Sequence, residues 1–342
     1  MKKKILAMIL ACAMILALAA CSGSANTKQP AAENTASDAA EAPAASEETE
    51  GKTYTVGVCQ LVQHEALDAA TQGFCDALTE ALGDAVSIDV QNASGDSVNC
   101  GTIVNGFVSK NVDLIMANAT PALTAAASAT ADIPILGTSI TAYGVALDIA
   151  DFSGTVGGNI SGTSDLADLS AQAQMILDWF PETQKVGLLF CSAEPNSRYQ
   201  IEEVAKYLAD KGVETEEFAF TDTNDVASVT QSAADYSDVV YIPTDNTAAA
   251  NTEAIGNVLI PAGIPAICGE EGICRGCGVA TLSISYYDLG VTTGKMAAKI
   301  LTGEANISEM PVEFTDATPK YNPSVCEQLG ITPLEGYEAI EG

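Results

Sequence analysis

Residues 223–248, TNDVASVTQSAADYSDVVYIPTDNTA, restate residues 94–122, SGDSVNCGTIVNGFVSKNVDLIMANATPA. Both run from a polar turn through a helix-period stripe into a short apolar run and a second polar turn. The copying extends outward: KVGLLFCS at 185–192 restates TVGVCQ at 55–60, and IPAICGEE at 264–271 restates IPILGTSI at 133–140. The offset is about 130 residues throughout, too long for a solenoid repeat and right for a duplicated lobe. Within each copy, short β-rich runs alternate with helical periodicity. YTVGVCQ at 54–60, for example, is followed by Leu67, Ala70, Phe74, Leu78 and Ala81 on one helical stripe. This pattern predicts an α/β chain of two similar Rossmann-like lobes with parallel sheets. Open parallel sheets bind ligands beyond the carboxyl ends of their strands, so two facing lobes predict a ligand cleft between them.

The lobes are expected at 53–163 plus about 284–314, and at 164–283 plus about 315–337, joined by a hinge that the chain crosses several times. The glycine-rich stretch GTVGGNISGTSDL, 154–166, is read as the first crossing; Ser283–Tyr287 and Thr315–Tyr321 are read as the other two. Its glycines do not fit G-x-G-x-x-G and do not follow a first strand into a helix, so it is not a dinucleotide fingerprint.

The chain begins MKKKILAMILACAMILALAAC, three lysines ahead of a short apolar run and small residues, which predicts an export signal over 1–20. Leu18-Ala19-Ala20-Cys21 resembles the lipobox of bacterial lipoproteins, which implies cleavage before Cys21 and lipid on its sulfur. Residues 21–52 hold Ala, Ser, Glu, Thr and Pro with no aromatic residue, a composition expected to form a disordered tether. Loss of Lys2, Lys3 and Lys4 with the signal takes the net charge from −31 to −34. That charge repels nucleic acid and anionic headgroups, and Arg198 and Arg275 are the only arginines, so no phosphate or nucleic-acid partner is expected.

Eight cysteines follow Cys21. Most occupy positions where small apolar residues belong, as Cys59 does at a strand end and Cys75 on a helix, and are read as buried free thiols. Cys274-x-x-Cys277 is open to a local disulfide or half a metal site. No second Cys/His pair lies nearby, and structural zinc needs four ligands, so no metal and no cofactor is expected.

Polar or helix-starting clusters follow the strand ends: QLVQHEALD, ATPA, GTSI, TSDL, SAEPNS, PTDNT and GEEG. Helix N-termini bind carboxylates without arginine. Thr120, Ser139, Ser164, Asn196, Ser197 and Thr244 supply further donors, while Asp165 and Asp245 are candidates to pair with an ammonium. Taken singly, each residue is equally an ordinary N-cap. Together they suit the two ends of an amino acid. Leu61, Val62, Pro121 and Tyr286 are candidate apolar walls. Tyr286 and Tyr287 also suit hinge packing, and Trp179, on a helix ending at Pro181, reads as scaffold. His64, the only histidine, sits in the first of these turns and reads as a pocket-rim residue.

The stretches QLVQHEALDAATQGF, NATPALTAAASAT, IPILGTSI, GTSDL, SAEPNS, YIPTDNT, ICGEEG and SYYDLGVTTGKMAAKILTGE resemble, in order, the substrate-binding lipoproteins of an ABC-importer family that includes tryptophan-binding members. The resemblance covers Tyr54 to about Leu334. It implies a type I periplasmic-binding-protein fold closing on a small ligand, most readily an aromatic amino acid. It also implies a lipid-anchored, extracytoplasmic monomer that delivers its ligand to a membrane permease and its ATPase. Carried over, the cleft positions are Gln60, His64, Thr120, Ser139, Asp165, Asn196, Asp245, Asn246 and Glu270. A receptor handing its ligand to a sensor or chemotaxis protein would have the same lobes. The duplication also places Cys59 and Cys191 at the ends of equivalent strands, which resembles the thiol pair of cofactor-independent amino-acid racemases. Only one of the two has a histidine nearby to favour a thiolate, so binding without chemistry is the primary expectation.

Overall fold

The computed structural model describes residues 52–341. The expected signal, tether and lipidated Cys21 lie outside the described residues. No described helix is long and apolar enough to cross a membrane.

The first lobe opens with β1 (Tyr54–Gln60), α1 (Glu65–Leu82), β2 (Val86–Asn92) and α2 (Ser97–Lys110). It continues through β3 (Leu114–Asn118), α3 (Thr120–Ala129), β4 (Ile135–Thr138), α4 (Tyr143–Ala146) and β5 (Ile160–Ser164). The second lobe repeats the plan with α5 (Leu169–Trp179), β6 (Lys185–Cys191), α6 (Pro195–Asp210), β7 (Glu214–Phe220) and α7 (Val226–Tyr236). Then come β8 (Val239–Ile242), α8 (Asn246–Ala249), α9 (Thr252–Ala262), β9 (Ala266–Cys268), α10 (Glu271–Cys277) and β10 (Ala280–Ser283). The chain returns to the first lobe for α11 (Tyr286–Thr302) and β11 (Glu313–Phe314). It ends in the second with β12 (Thr318–Tyr321), α12 (Pro323–Leu329) and β13 (Glu338–Ala339).

The sheets make the duplication explicit. The first runs β11-β5-β4-β3-β1-β2 and the second β13-β12-β10-β9-β8-β6-β7, so β5-β4-β3-β1-β2 and β10-β9-β8-β6-β7 are five strands in the same order. Every pairing is parallel except β10 with β12. Central strands such as β3 and β8 are buried on both faces, as parallel sheets covered by helices require. A small polar device is copied as well. Asp113, just before β3, accepts from the Thr55 N–H at 2.8 Å, and Asp238, just before β8, accepts from the Lys185 N–H at 2.9 Å. Each carboxylate satisfies the amide at the start of the neighbouring central strand.

The three crossings run through residues 165–168, 284–285 and 315–317. The glycines of the 154–166 stretch therefore precede the crossing, which only its last two residues, Asp165 and Leu166, enter. Gly157 and Gly158 turn at positive φ, and the chain then enters β5, which pairs with β4 inside the first sheet. Ser164 ends that strand and so belongs with the first sheet, and β13 extends the second sheet beyond residue 337. α11 lies against α1 at very short range. A Cβ on Gly290 would sit 2.0 Å from the Ala70 carbonyl oxygen, and one on Gly73 would sit 2.1 Å from that of Tyr287. This contact fixes α1, whose N-terminus faces the second lobe.

Candidate functional site

The carboxyl ends of β1, β3, β4 and β5 face those of β6, β8 and β9, and the polar turns predicted from sequence lie there. Thr120, Ser139, Ser164, Asp165, Asn196, Ser197, Asp245 and Glu270 are all buried, as are Gln60 and Tyr286; His64 and Asn246 are half-buried. Their bonding separates them into different jobs.

Several are fully engaged in holding the turns. Gln60 Nε2 donates to Val62 O at 2.8 Å and to Asp68 Oδ1 at 2.6 Å, while its Oε1 accepts from Thr71 Oγ1 at 2.6 Å. Ser164 Oγ donates to Thr141 O at 3.1 Å and accepts from the Leu166 N–H at 3.2 Å. Asp245, expected as an ammonium partner, spends one oxygen on the Cys191 N–H at 2.6 Å and the other on the Ala248 N–H at 2.8 Å. It caps α8, with the Ser197 hydroxyl beside it. Glu270 caps α10 through the N–H groups of Gly272 (2.7 Å) and Ile273. Glu194, which the sequence reading passed over, caps α8 from another direction: it accepts from the N–H groups of Asn246 (3.0 Å) and Thr247 (2.9 Å).

Others are left open. Asp165 Oδ2 accepts from the Tyr286 hydroxyl at 2.9 Å, but its Oδ1 is buried without a partner. Ser139 Oγ, Asn118 Oδ1 and Asn196 Oδ1 are likewise buried and unpaired, and Ser139 holds a left-handed φ of 55° directly after β4. Unpaired buried polar atoms cost free energy, and these four gather near strand ends of the two lobes, whereas Trp179 Nε1, Ser237 Oγ, Thr281 Oγ1 and Thr315 Oγ1 are unpaired elsewhere. Asn118 was missed because it is the last residue of an apolar strand; its place just before Thr120 was the available signal.

The electrostatics are one-sided. Four carboxylates, Asp165, Glu194, Asp245 and Glu270, are buried, whereas no lysine or arginine is buried among the described residues. Burial raises the Asp165 carboxyl above its ordinary value. Burial, then the Glu194 charge, pushes Asp245 up to about 8, and burial pushes Glu270 up to about 7. Burial lowers the His64 imidazole, against the pull of Asn246, Glu194 and Asp68.

Two contacts join α1 to the opposite lobe: His64 Nε2 to Asn246 Oδ1 at 3.3 Å, and Glu65 to Arg275. Beside them lies an interlobe cavity of about 370 Å³, lined by Leu61, Val62 and Pro121 from one side and by Glu194, Asn246 and Thr247 from the other. Trp179 sits in the second lobe's core, edge-on to Tyr337 at 5.1 Å.

The thiol pair expected of a racemase is not assembled. Cys59 is buried in the first lobe's core and its thiol is raised, first by Cys100 and then by burial. Cys191 lines the interlobe cavity and is pushed up to about 11 by burial and Asp245. All eight cysteines of the described region are free, Cys274 and Cys277 included. No group of three or more His, Cys, Asp or Glu side chains among the described residues is placed to hold a metal.

The family model for ABC transporter substrate binding proteins matches residues 55–337. A tyrosine-binding protein of Clostridioides difficile (strain R20291) is 33% identical over 270 residues, 78% of each chain. A Streptococcus pneumoniae ABC domain solved in complex with L-Trp superposes with a TM-score of 0.80 at 31% identity, covering 84% of this chain and 100% of that one. A substrate-binding protein with adhesive properties from Clostridium difficile, in its ligand-free, open structure, is 32% identical over 84% of this chain and 99% of that one, yet scores 0.65. In the present chain α1 is bonded across the cleft through His64 and Glu65.

Proposed function

Because the chain belongs to the ABC transporter substrate-binding protein family, we propose that it captures an amino acid with an aromatic side chain and presents it to a membrane permease and its ATPase. The observation that carries this reading is Asp165, a buried carboxylate with one oxygen unpaired and no buried cation among the described residues to meet it. An ammonium supplies the missing charge and donors. The Ser139 hydroxyl and the N–H groups at the start of α3, where Thr120 sits, suit the ligand carboxylate. Asn118, Asn196 and Tyr286 complete the contacts. Gln60, Ser164, Ser197, Asp245 and Glu270 hold the turns that carry them. The aromatic preference is supported by the relatives that bind tyrosine and tryptophan. The protein acts as an extracytoplasmic monomer anchored by lipid at Cys21, and it performs no chemistry on its ligand.

Calorimetry of the mature protein against L-tyrosine, L-tryptophan and L-phenylalanine tests the reading. Asp165→Asn is expected to weaken the best of them about 10- to 100-fold. 3-Indolepropionate, which lacks the ammonium, is expected not to bind. Equal affinity for it and for L-tryptophan would overturn the assignment.

A further inference from the structure

His64 and Asn246 belong to different lobes, so their contact exists only while the cleft is shut. The bonding around Asn246 explains why its oxygen faces the histidine. Asn246 Nδ2 donates to Glu194 Oε2 at 2.7 Å, and the same oxygen accepts the Asn246 N–H at 3.0 Å. Glu194 is itself immobilised by the Thr247 N–H at 2.9 Å, the Thr247 hydroxyl at 2.8 Å and Asn196 Nδ2 at 3.3 Å. A carboxylate cannot accept from an amide oxygen, so the amide has one satisfactory orientation, with Oδ1 turned away from Glu194. That oxygen only accepts, so the His64 proton is on Nε2, which donates. A neutral imidazole is enough, and burial favours the neutral ring.

We propose that Glu194 is the positioning residue of an interlobe latch, orienting the Asn246 amide to receive the His64 N–H, and that this latch sets how long the closed cleft holds its ligand. The proposal rests on the reading of a cleft that closes on a ligand. It assigns neither His64 nor Glu194 to the ligand itself. A bond made only after closure acts on ligand release and leaves encounter unchanged, because encounter occurs in the open form. Asn246 and Glu194 also line the interlobe cavity.

The test is a double-mutant cycle on dissociation kinetics, with L-tryptophan and L-tyrosine as probes in stopped flow. His64→Ala and Glu194→Gln are each expected to raise koff about five- to tenfold with kon unchanged. The double variant should release no faster than the quicker single one, because both act through the same amide. Additive effects, or a change confined to kon, would overturn the latch. If Glu194→Gln fails to fold, Asn246→Ala takes its place in the cycle with the same expectation. If neither amino acid binds the wild-type protein, the amino-acid reading falls separately. The latch is then read from spin-label distances between the lobes of the ligand-free protein, where His64→Ala must lower the closed fraction and no change counts against it.

Discussion

The Tyr286 hydroxyl donates to Asp165 Oδ2 at 2.9 Å, tying the start of α11, just past the second crossing between the lobes, to the first crossing. One hydrogen bond thus orients the carboxylate assigned to the ligand ammonium and holds the first hinge segment against the helix that follows the second. Tyr286→Phe keeps the ring and removes the donor. Asp165 then loses a group that favours its charged form, and ligand affinity is expected to fall about tenfold. Calorimetry beside the Asp165→Asn variant checks it. Unchanged affinity would show that Asp165 is held in place without the tyrosine.

The excess of buried acid has a pH signature. Asp245 and Glu270 hold protons in the folded protein up to about 8 and about 7, whereas in the unfolded chain they release them near their ordinary values of 3.8 and 4.5. Between those limits the folded state binds more protons than the unfolded state, so stability falls as pH rises. His64 has the opposite sign: its lowered value makes the unfolded state the better proton binder below about 6.5. Above pH 6.5 the opposing His64 contribution fades, so from pH 6.5 to 8 the raised acids set the slope, by at most about 1.4 kcal/mol per pH unit for each proton. Urea titrations across that window should show decreasing stability, and Glu270→Gln should flatten the slope. A rising slope would contradict the burial of these carboxylates.

The duplicated lobes were legible because duplication repeats a whole hydrophobic pattern, and the parallel sheet follows from strands and helices that alternate. The site was legible only as a set of turns. Asp165 and Asp245 look alike in sequence, each an acid just after a strand. They part company because Asp245 has two backbone N–H groups within reach, whereas Asp165 has a tyrosine from a segment 121 residues away and, with the Thr141 hydroxyl beside the carboxyl, no well-formed hydrogen bond on its other oxygen. Whether an acid caps a helix or waits for a ligand depends on which backbone groups surround it, and that is a tertiary property. Glu194 was hidden for the same reason: its partners at Asn246 and Thr247 lie more than fifty residues on.

Asp113 and Asp238 offer a matched pair of tests for the duplication. Each joins the start of its central strand through backbone N–H groups, Asp113 to Thr55 and Asp238 to both Gln184 and Lys185. Alanine at either position should cost about 1 kcal/mol in urea unfolding, since the amides can turn to water at these exposed sites. The two losses should add, because the residues serve different lobes. A loss at only one position would mean that the copied device stabilises one lobe alone.

The two cysteines at equivalent strand ends give a sharp outcome. Cys59 lies in the first lobe's core and Cys191 lines the interlobe cavity, so the two do not line one site. The double variant Cys59→Ala, Cys191→Ala is expected to bind its amino acid within about twofold of wild type and to melt a few degrees lower, from the space left at Cys59. Incubation with one enantiomer of tryptophan or tyrosine in deuterated water should give no α-deuterium for either protein. Incorporation by wild type that disappears in the double variant would restore the racemase reading.

The α1–α11 contact yields predictions of opposite sign for one chemical change. Gly290→Ala places a Cβ 2.0 Å from the Ala70 carbonyl oxygen, a rigid backbone atom on the neighbouring helix. The helices must separate, and the overpacking cost of about 2 kcal/mol or more exceeds the gain in helix propensity of about 1 kcal/mol. Because α1 carries His64 and Glu65 to the other lobe, affinity should fall along with stability. Gly101, in the interior of α2, has nothing within 4 Å of its would-be Cβ. There Gly→Ala meets no neighbour, and the propensity term should stabilise by about 0.5–1 kcal/mol. Urea midpoints for the two variants should move in opposite directions, and only Gly290→Ala should change calorimetric affinity. A stabilised Gly290→Ala would mean that the two helices are not in contact in solution as they are here.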